Sequence, residues 1–242
     1  MKILAIGNSF SQDATRYLQR IAGVAGERIK VVNLFVGGCP LRLHYINALE
    51  DRRNYAIQLH GESIGFFASI IEALISDTWD VVTLQQASSQ SFNYDTYQPY
   101  LNFLADYVRK YCPKSKIYVH QTWAYEDGTE RLHNMGYEKA ADMFSDIEKT
   151  YQQAFEDIRA DGMIPSGALM KELLKNGIEK VHRDGFHASL GLGRYALGLL
   201  WYKVLTGKEI VGNSFADFDE EITVEQIDIV KKCVNKIAKE IY

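Results

Sequence analysis

No stretch of this sequence approaches the roughly 18 consecutive apolar residues that a bilayer-crossing helix needs, which argues against a membrane-spanning protein. Positive charge is not in excess either. The formal net charge over 242 residues is −4 and no long basic run occurs, so a nucleic acid is not the expected partner. Cysteine is scarce. Cys39, Cys112 and Cys233 are far apart, odd in number and without the spacing of a disulfide framework, which points to free thiols and a reducing compartment. Neither Gly-x-Gly-x-x-Gly nor Gly-x-x-x-x-Gly-Lys follows an expected strand, so the usual signatures of nucleotide-binding loops are missing. A secretory leader is not apparent: Ile3-Leu4-Ala5-Ile6 runs directly into Gly7-Asn8-Ser9. The expectation is therefore a cytoplasmic protein.

What is present is an alternation of strands and helices. Lys2–Ile6 reads as a buried strand. Gln12–Ala25 has helical spacing at Tyr17, Leu18, Ile21 and Val24, with Gly26 as its stop. Ile29–Val36 is a β-branched strand broken by Gly37-Gly38-Cys39-Pro40. Leu41–Gly61 reads as irregular, with an extended Tyr55–Leu59 and a solvated charged turn at Glu50–Arg53. Ser63–Ser76 is expected to be a helix capped by Ser63. Trp79–Leu84 is almost wholly apolar, as a central parallel strand should be. Helix at Thr96–Tyr111, strand at Lys116–His120, loop at Trp123–Met135 and a long helix at Tyr137–Ala160 follow. Met163–Pro165 is a short strand. Helices at Gly167–Lys175, Ser189–Leu205 and Thr223–Ile241 complete the chain, the last opened by Thr223 with Gln226 three residues on. This pattern predicts one α/β domain over residues 1–242, a three-layer α/β/α arrangement around a parallel sheet of about five strands. In such folds sites lie at the carboxyl ends of strands. Ser9, Gly37-Gly38, Gln85-Gln86 and Gln121-Thr122 all fall there.

Two segments carry chemistry. Gly7-Asn8-Ser9 ends the first strand, and Asp184-Gly185-Phe186-His187 places a carboxylate three residues before an imidazole. A serine hydroxyl is a poor nucleophile near neutral pH. It needs a base to take its proton and an acid to orient that base. Each segment alone has a plainer reading: Ser9 as a helix cap, Asp184 as the cap of the helix that follows. Their joint placement favours a triad of Ser9, His187 and Asp184. His182 adds the residue types of a metal cluster, but the triad explains Asp184 and His187 better, and such chemistry requires no metal and no cofactor.

These motifs resemble the SGNH (GDSL) hydrolase family. Gly7-Asn8-Ser9 is similar to its Gly-Asp-Ser block, with Asn8 for Asp, and Asp184-x-x-His187 to its last block. Gly38 resembles the glycine whose amide faces the oxyanion. The third block departs. Where the family has Gly-x-Asn-Asp, this chain reads Leu84-Gln85-Gln86-Ala87-Ser88-Ser89-Gln90. That stretch is closer to the Gln-Gly-Glu-x-Asn form of acetylesterase-like members, with Gln86 at the Gln position and Gln90 at the Asn position. Gly-Asn-Ser-Phe-Ser, Leu-Gln-Gln and Gln-Thr-Trp are also similar to an uncharacterised bacterial SGNH-like branch.

The resemblance implies a flavodoxin-like SGNH-hydrolase fold and a serine esterase of small substrates, with an O-acetylated carbohydrate as the expected class. The Ser9 and Gly38 amides would hold the oxyanion with a glutamine side chain, Gln86 before Gln90. Alternate side chains of a strand diverge, so Gln85 and Gln86 should face opposite ways. Trp123 and Tyr125, on the loop after the fourth strand, are candidates to line the pocket, while His120, Trp79 and Trp201 read as core. A non-catalytic carbohydrate-binding relative and a lipase- or thioesterase-like enzyme remain as competing readings, separable by turnover of p-nitrophenyl esters.

Overall fold

Strand β1 (Lys2–Gly7) lies at the middle of the sheet because nothing in it is polar after Lys2, and those residues are all buried. A strand buried on both faces reads as a continuous apolar run. The computed structural model describes residues 1–240. Six further strands complete the sheet: β2 (Lys30–Phe35), β3 (Tyr55–Leu59), β4 (Glu62–Ala68), β5 (Val81–Leu84), β6 (Lys116–His120) and β7 (Gly162–Ile164). Their order is β4-β3-β2-β1-β5-β6-β7. β1 pairs in parallel with β2 on one side and β5 on the other, so that Ile6 lies opposite both Leu34 and Leu84. β5, β6 and β7 continue in parallel.

The chain thus leaves β1 in one direction to build β2 and returns to its other side to build β5. Such a reversal opens a crevice at the carboxyl ends of the strands. The helices are α1 (Ser9–Thr15), α2 (Leu18–Val24), α3 (Leu41–Leu49), α4 (Ile70–Ile75), α5 (Tyr100–Tyr111), α6 (Glu130–Asn134), α7 (Ala140–Asp157), α8 (Ser166–Lys175), α9 (Leu192–Thr206) and α10 (Val224–Lys239). They flank the sheet in two groups. α9 packs against α1, α2, α8 and α10, and α5 against α3 and α4. α9 is buried nearly all round, including Trp201, which explains its lack of a polar face.

The expected five parallel strands are present. The sheet nevertheless has seven, because β3 and β4 extend its edge as an antiparallel hairpin. Ser63 is therefore within a strand and caps no helix. The true cap is Ser69, whose hydroxyl accepts from the Glu72 amide while the Glu72 carboxylate accepts from the Ser69 amide. The hairpin turn is His60-Gly61, both with left-handed φ of 54° and 79°, as a two-residue hairpin turn requires. Gly61 has a second reason: a Cβ there would come within 2.5 Å of the Arg16 backbone.

The stretch expected to be irregular after Pro40 forms α3. Its buried positions are Leu41, His44, Asn47 and Ala48. Two of these are polar, so the apolar stripe that marks a helix is interrupted. His44 and Asn47 are buried because both reach the Tyr55 hydroxyl, at 2.8 and 3.0 Å. The expected first helix is divided into α1 and α2 around Arg16-Tyr17. The loop after β6 contains α6. The expected end of the terminal helix at Ile241 lies outside the described residues.

Candidate active site

The chain after β1 turns directly into α1, and Asn8 caps that helix. Its Oδ1 accepts from the Phe10 amide at 3.0 Å, and the Asn8 amide donates to Ser11 Oγ at 3.0 Å. Since Asn8 is the cap, the Ser9 hydroxyl is left over for other work. It lies 2.8 Å from His187 Nε2. His187 Nδ1 lies 2.7 Å from Asp184 Oδ2. The carboxylate also accepts, through Oδ1, from the amides of His187 at 2.8 Å and Phe186 at 3.3 Å. Burial alone would raise the Asp184 carboxyl. The hydrogen bonds from the His187 ring and from the two amides outweigh it and hold the group below the ordinary carboxylate value. An ionised Asp184 selects the tautomer with hydrogen on Nδ1 and leaves Nε2 free to accept the serine proton.

Asn8 does two jobs besides capping. Its Nδ2 donates to the Cys39 carbonyl at 3.3 Å, so it ties the Gly37-Gly38 turn to the nucleophile strand. An aspartate at this position has no hydrogen to donate to that carbonyl. Its Oδ1 also accepts from Gln85 Nε2 at 2.8 Å. Gln85 in turn accepts from His120 Nδ1 at 2.9 Å, and His120 Nε2 lies 3.0 Å from Ser166 Oγ. His120 is fully buried, and burial pushes its imidazole down to about 3. It is a neutral, hydrogen-bonded core histidine, as its apolar surroundings in the sequence suggest. Gly38 takes a left-handed φ of 61°. Among the described residues, neither the Ser9 nor the Gly38 amide has a hydrogen-bond partner.

The two glutamines after β5 diverge, as strand alternation predicts, but neither faces Ser9. Gln86 must be corrected. Its Oε1 accepts from the amides of Leu41 at 2.8 Å and Ala87 at 2.9 Å. Both hydrogens of its Nε2 are taken, by the carbonyl and hydroxyl of Thr96, each at 3.0 Å. It is fully buried and has no donor left for an oxyanion. Its work is to pin the start of α3 and, with it, the turn that carries Gly38. Gln90 closes a turn onto the Ala87 carbonyl through its backbone amide and is not among the residues that bound the cleft. Trp123 is likewise not a pocket wall. It is fully buried, stacks on Phe10 with ring centroids 4.1 Å apart, and donates from Nε1 to the Phe186 carbonyl at 2.7 Å. It holds the histidine loop from behind.

The cleft around Ser9 has a volume of about 400 Å³ and is bounded by Gly38, Ser88, Tyr125, Arg131, Phe186 and His187, among others. A hollow of about 520 Å³ between β4 and α4 is larger, but it is lined mainly by apolar side chains and contains no serine–histidine pair. Tyr125 reaches the cleft as expected. Arg131 and Ser88 were not anticipated. Arg131 sits on α6, its guanidinium 3.8 Å from the Phe186 ring centroid, and the Phe186 ring is 3.7 Å from that of His187.

Asp13 was also missed. It is on α1, one turn after Ser9, and is completely buried. Its carboxylate accepts from Arg183 Nη1 at 2.9 and 3.0 Å, from Arg194 Nε at 2.9 Å and from the Ala188 amide at 3.1 Å. It therefore locks the nucleophile helix to both sides of the loop bearing His187. A lone Asp in a short helix gives no local signal of this, because its partners lie some 170 residues away in the chain.

The family profile described as "Domain of unknown function (DUF4886)" matches residues 2–236. The chain is similar to a DUF4886 family protein from Bacteroides uniformis whose crystal structure is known, with 29% identity and a TM-score of 0.91, covering 100% of this chain and 96% of that one. A protein from Slackia heliotrinireducens assigned to the SGNH hydrolases superposes with a TM-score of 0.62 at 21% identity, covering 85% of this chain and 98% of that one. An acetylxylan esterase from Geobacillus stearothermophilus superposes with a TM-score of 0.53 at 18% identity, covering 82% and 90%. The fold is thus that of the SGNH hydrolases and esterases. No curated protein matches the sequence.

Proposed function

The chain belongs to the DUF4886 family, and we propose that its Ser9 cleft is the site of a serine esterase acting on small esters, with an O-acetyl group on a carbohydrate as the substrate class. The observation that carries this is the unbroken chain from Ser9 Oγ through His187 to Asp184, at 2.8 and 2.7 Å. These distances are those of a nucleophile in reach of its base and a base in reach of its orienting acid.

His187 Nε2 takes the proton as Ser9 Oγ attacks the ester carbon. The carbonyl π pair moves onto oxygen, where the unpartnered amides of Ser9 and Gly38 meet the negative charge. As the tetrahedral intermediate collapses, His187 returns the proton to the departing alcohol. Water then repeats the sequence on the acyl-enzyme and frees the acid. Asp184 stays ionised throughout and stabilises the imidazolium. The cleft supports a small acyl group: Phe10, Tyr125 and Phe186 line it together with the serine, and such rings suit an acetyl group better than a long chain. Aromatic faces also suit a sugar ring, in line with the acetylxylan esterase likeness.

A p-nitrophenyl ester series and a fluorophosphonate probe test the proposal. Acetate should be turned over faster than octanoate, the probe should label Ser9, and Ser9→Ala should abolish both while leaving the melting temperature nearly unchanged. A preference for octanoate would indicate a lipase- or thioesterase-like enzyme. Absence of both turnover and labelling would refute the esterase reading.

A further inference from the structure

We propose that the side-chain donor of the oxyanion hole is the Ser88 hydroxyl, aimed by the phenol of Tyr125. The inference rests on the esterase reading above and names a residue for the place that Gln86 cannot fill.

The argument starts from sheet geometry. β1 is flanked by β2 and β5, with Ile6 opposite both Leu34 and Leu84. Segments that continue past these strands therefore stand side by side. Ser9 is three residues past Ile6, with Gly38 on the β2 side and Ser88 on the β5 side. All three line the same cleft. An oxyanion formed over Ser9 is thus bordered by Gly38 from one wall and by Ser88 from the other.

Ser88 is held rather than free. Its carbonyl accepts from Ser91 Oγ at 3.0 Å, and the turn that contains it is closed by the Gln90 amide on Ala87 O. Its Oγ lies 2.9 Å from the Tyr125 hydroxyl. A serine hydroxyl has one hydrogen to give and lone pairs to accept with. If the phenol donates to Ser88 Oγ, the serine hydrogen is left to point into the cleft. Arg131 favours that direction. Its cation sits at the Tyr125 and Phe186 side of the cleft, so the phenol oxygen accepts toward it while its hydrogen turns to Ser88. Burial raises the Tyr125 phenol above its usual value, and the Arg131 charge pulls against that rise. Hydrogen bonds in such a series polarise one another, so the last donor is stronger than an isolated serine. Ser88 would be catalytic, touching the oxyanion. Tyr125 would be a positioning residue.

The test compares Ser88→Thr, which keeps a hydroxyl, with Ser88→Val, which has nearly the same shape without one. Steady-state hydrolysis of p-nitrophenyl acetate and inhibition by a trifluoromethyl ketone, which forms a tetrahedral oxyanion on serine, are measured for each. Ser88→Val should lose about 100-fold in kcat with KM changed by less than about threefold, and inhibitor affinity should fall in parallel. Ser88→Thr should restore most of both. Tyr125→Phe should lose about tenfold in kcat, again without a matching KM change. If the wild type is active and Ser88→Val stays within about threefold of it in kcat, the donor assignment is overturned while the esterase stands. Equal loss in the Thr and Val variants would also overturn it, since the hydroxyl would then be irrelevant. If the wild-type protein neither hydrolyses the ester nor labels at Ser9, the esterase reading fails and the donor role falls with it.

Discussion

Replacing Asp13 by Asn should damage both stability and catalysis, although Asp13 never touches the cleft. The carboxylate is completely buried and receives two arginines and one amide. The amide of an asparagine keeps one acceptor but turns two hydrogens toward groups that only donate. Breaking a fully buried ion pair typically costs about 3–5 kcal/mol. Here both arginines retain some contact with water, at 26% and 14% side-chain exposure, and Arg194 keeps Asp219. A loss of about 2–3 kcal/mol is therefore expected. For a chain of this size each kcal/mol lowers the melting temperature by roughly 2–4 °C, so the variant should melt about 5–10 °C lower. The catalytic effect comes from geometry. Asp13 holds α1, which carries Ser9, against Arg183 and Ala188, which bracket the His187 loop. Displacement by about 1 Å can cost up to ~100-fold in rate, so kcat should fall by about 10- to 100-fold. Thermal unfolding by circular dichroism and p-nitrophenyl acetate kinetics are the assays. A variant that melts within about 2 °C of the wild type and keeps its kcat would refute the view that Asp13 couples nucleophile to base.

Other outcomes follow from the same reasoning. His44 and His120 are both pushed down to about 3 by burial, from an ordinary 6.5. A lowered imidazole means that the unfolded chain takes up protons which the folded chain refuses. Stability should thus fall as pH drops below about 6.5, by at most ~1.4 kcal/mol per pH unit for each histidine. Melting curves from pH 8 to pH 5 should show the decline, and His44→Gln should flatten it; a pH-independent melting temperature would contradict the buried neutral state. Gln86→Ala should lower kcat indirectly, by freeing the start of α3 and the Gly38 turn, and should also lower the melting temperature because it strands the Leu41 and Ala87 amides. Gln90→Ala should do neither. Loss of rate in Gln90→Ala alone would show that the segment after β5 is arranged differently.

Much of the fold was legible because its signals are local. β1, β2, β5 and β6 are short apolar runs between turn residues, and α5, α7, α8 and α10 have an apolar stripe of helical period. The β3–β4 hairpin was not, because His60-Gly61 is not a familiar turn pair and the apolar Ile64, Phe66 and Phe67 run on toward Ile70, Ile71 and Leu74 as if in one helix. In fact the first three are exposed on the outermost strand. α3 was missed because two of its buried positions are the polar His44 and Asn47.

At the candidate site the sequence by itself determined which groups were available: a serine after the first strand, a histidine and an acid three residues apart, and a glycine after the second strand. Residue types and strand ends suffice for that, since a parallel sheet delivers its strand ends to one edge. Only the tertiary structure decided which side chains were already engaged. Gln86 reads as a free amide until Leu41, Ala87 and Thr96 are seen to take its oxygen and both its hydrogens. Asn8 reads as a departure from the usual aspartate until its amide is found on Cys39. Ser88 and Asp13 carry no signal in the sequence, because their partners Tyr125, Arg183 and Arg194 come from distant segments. A hydrogen bond is a pairing in space, and a one-dimensional pattern shows only the donors and acceptors that have yet to be paired.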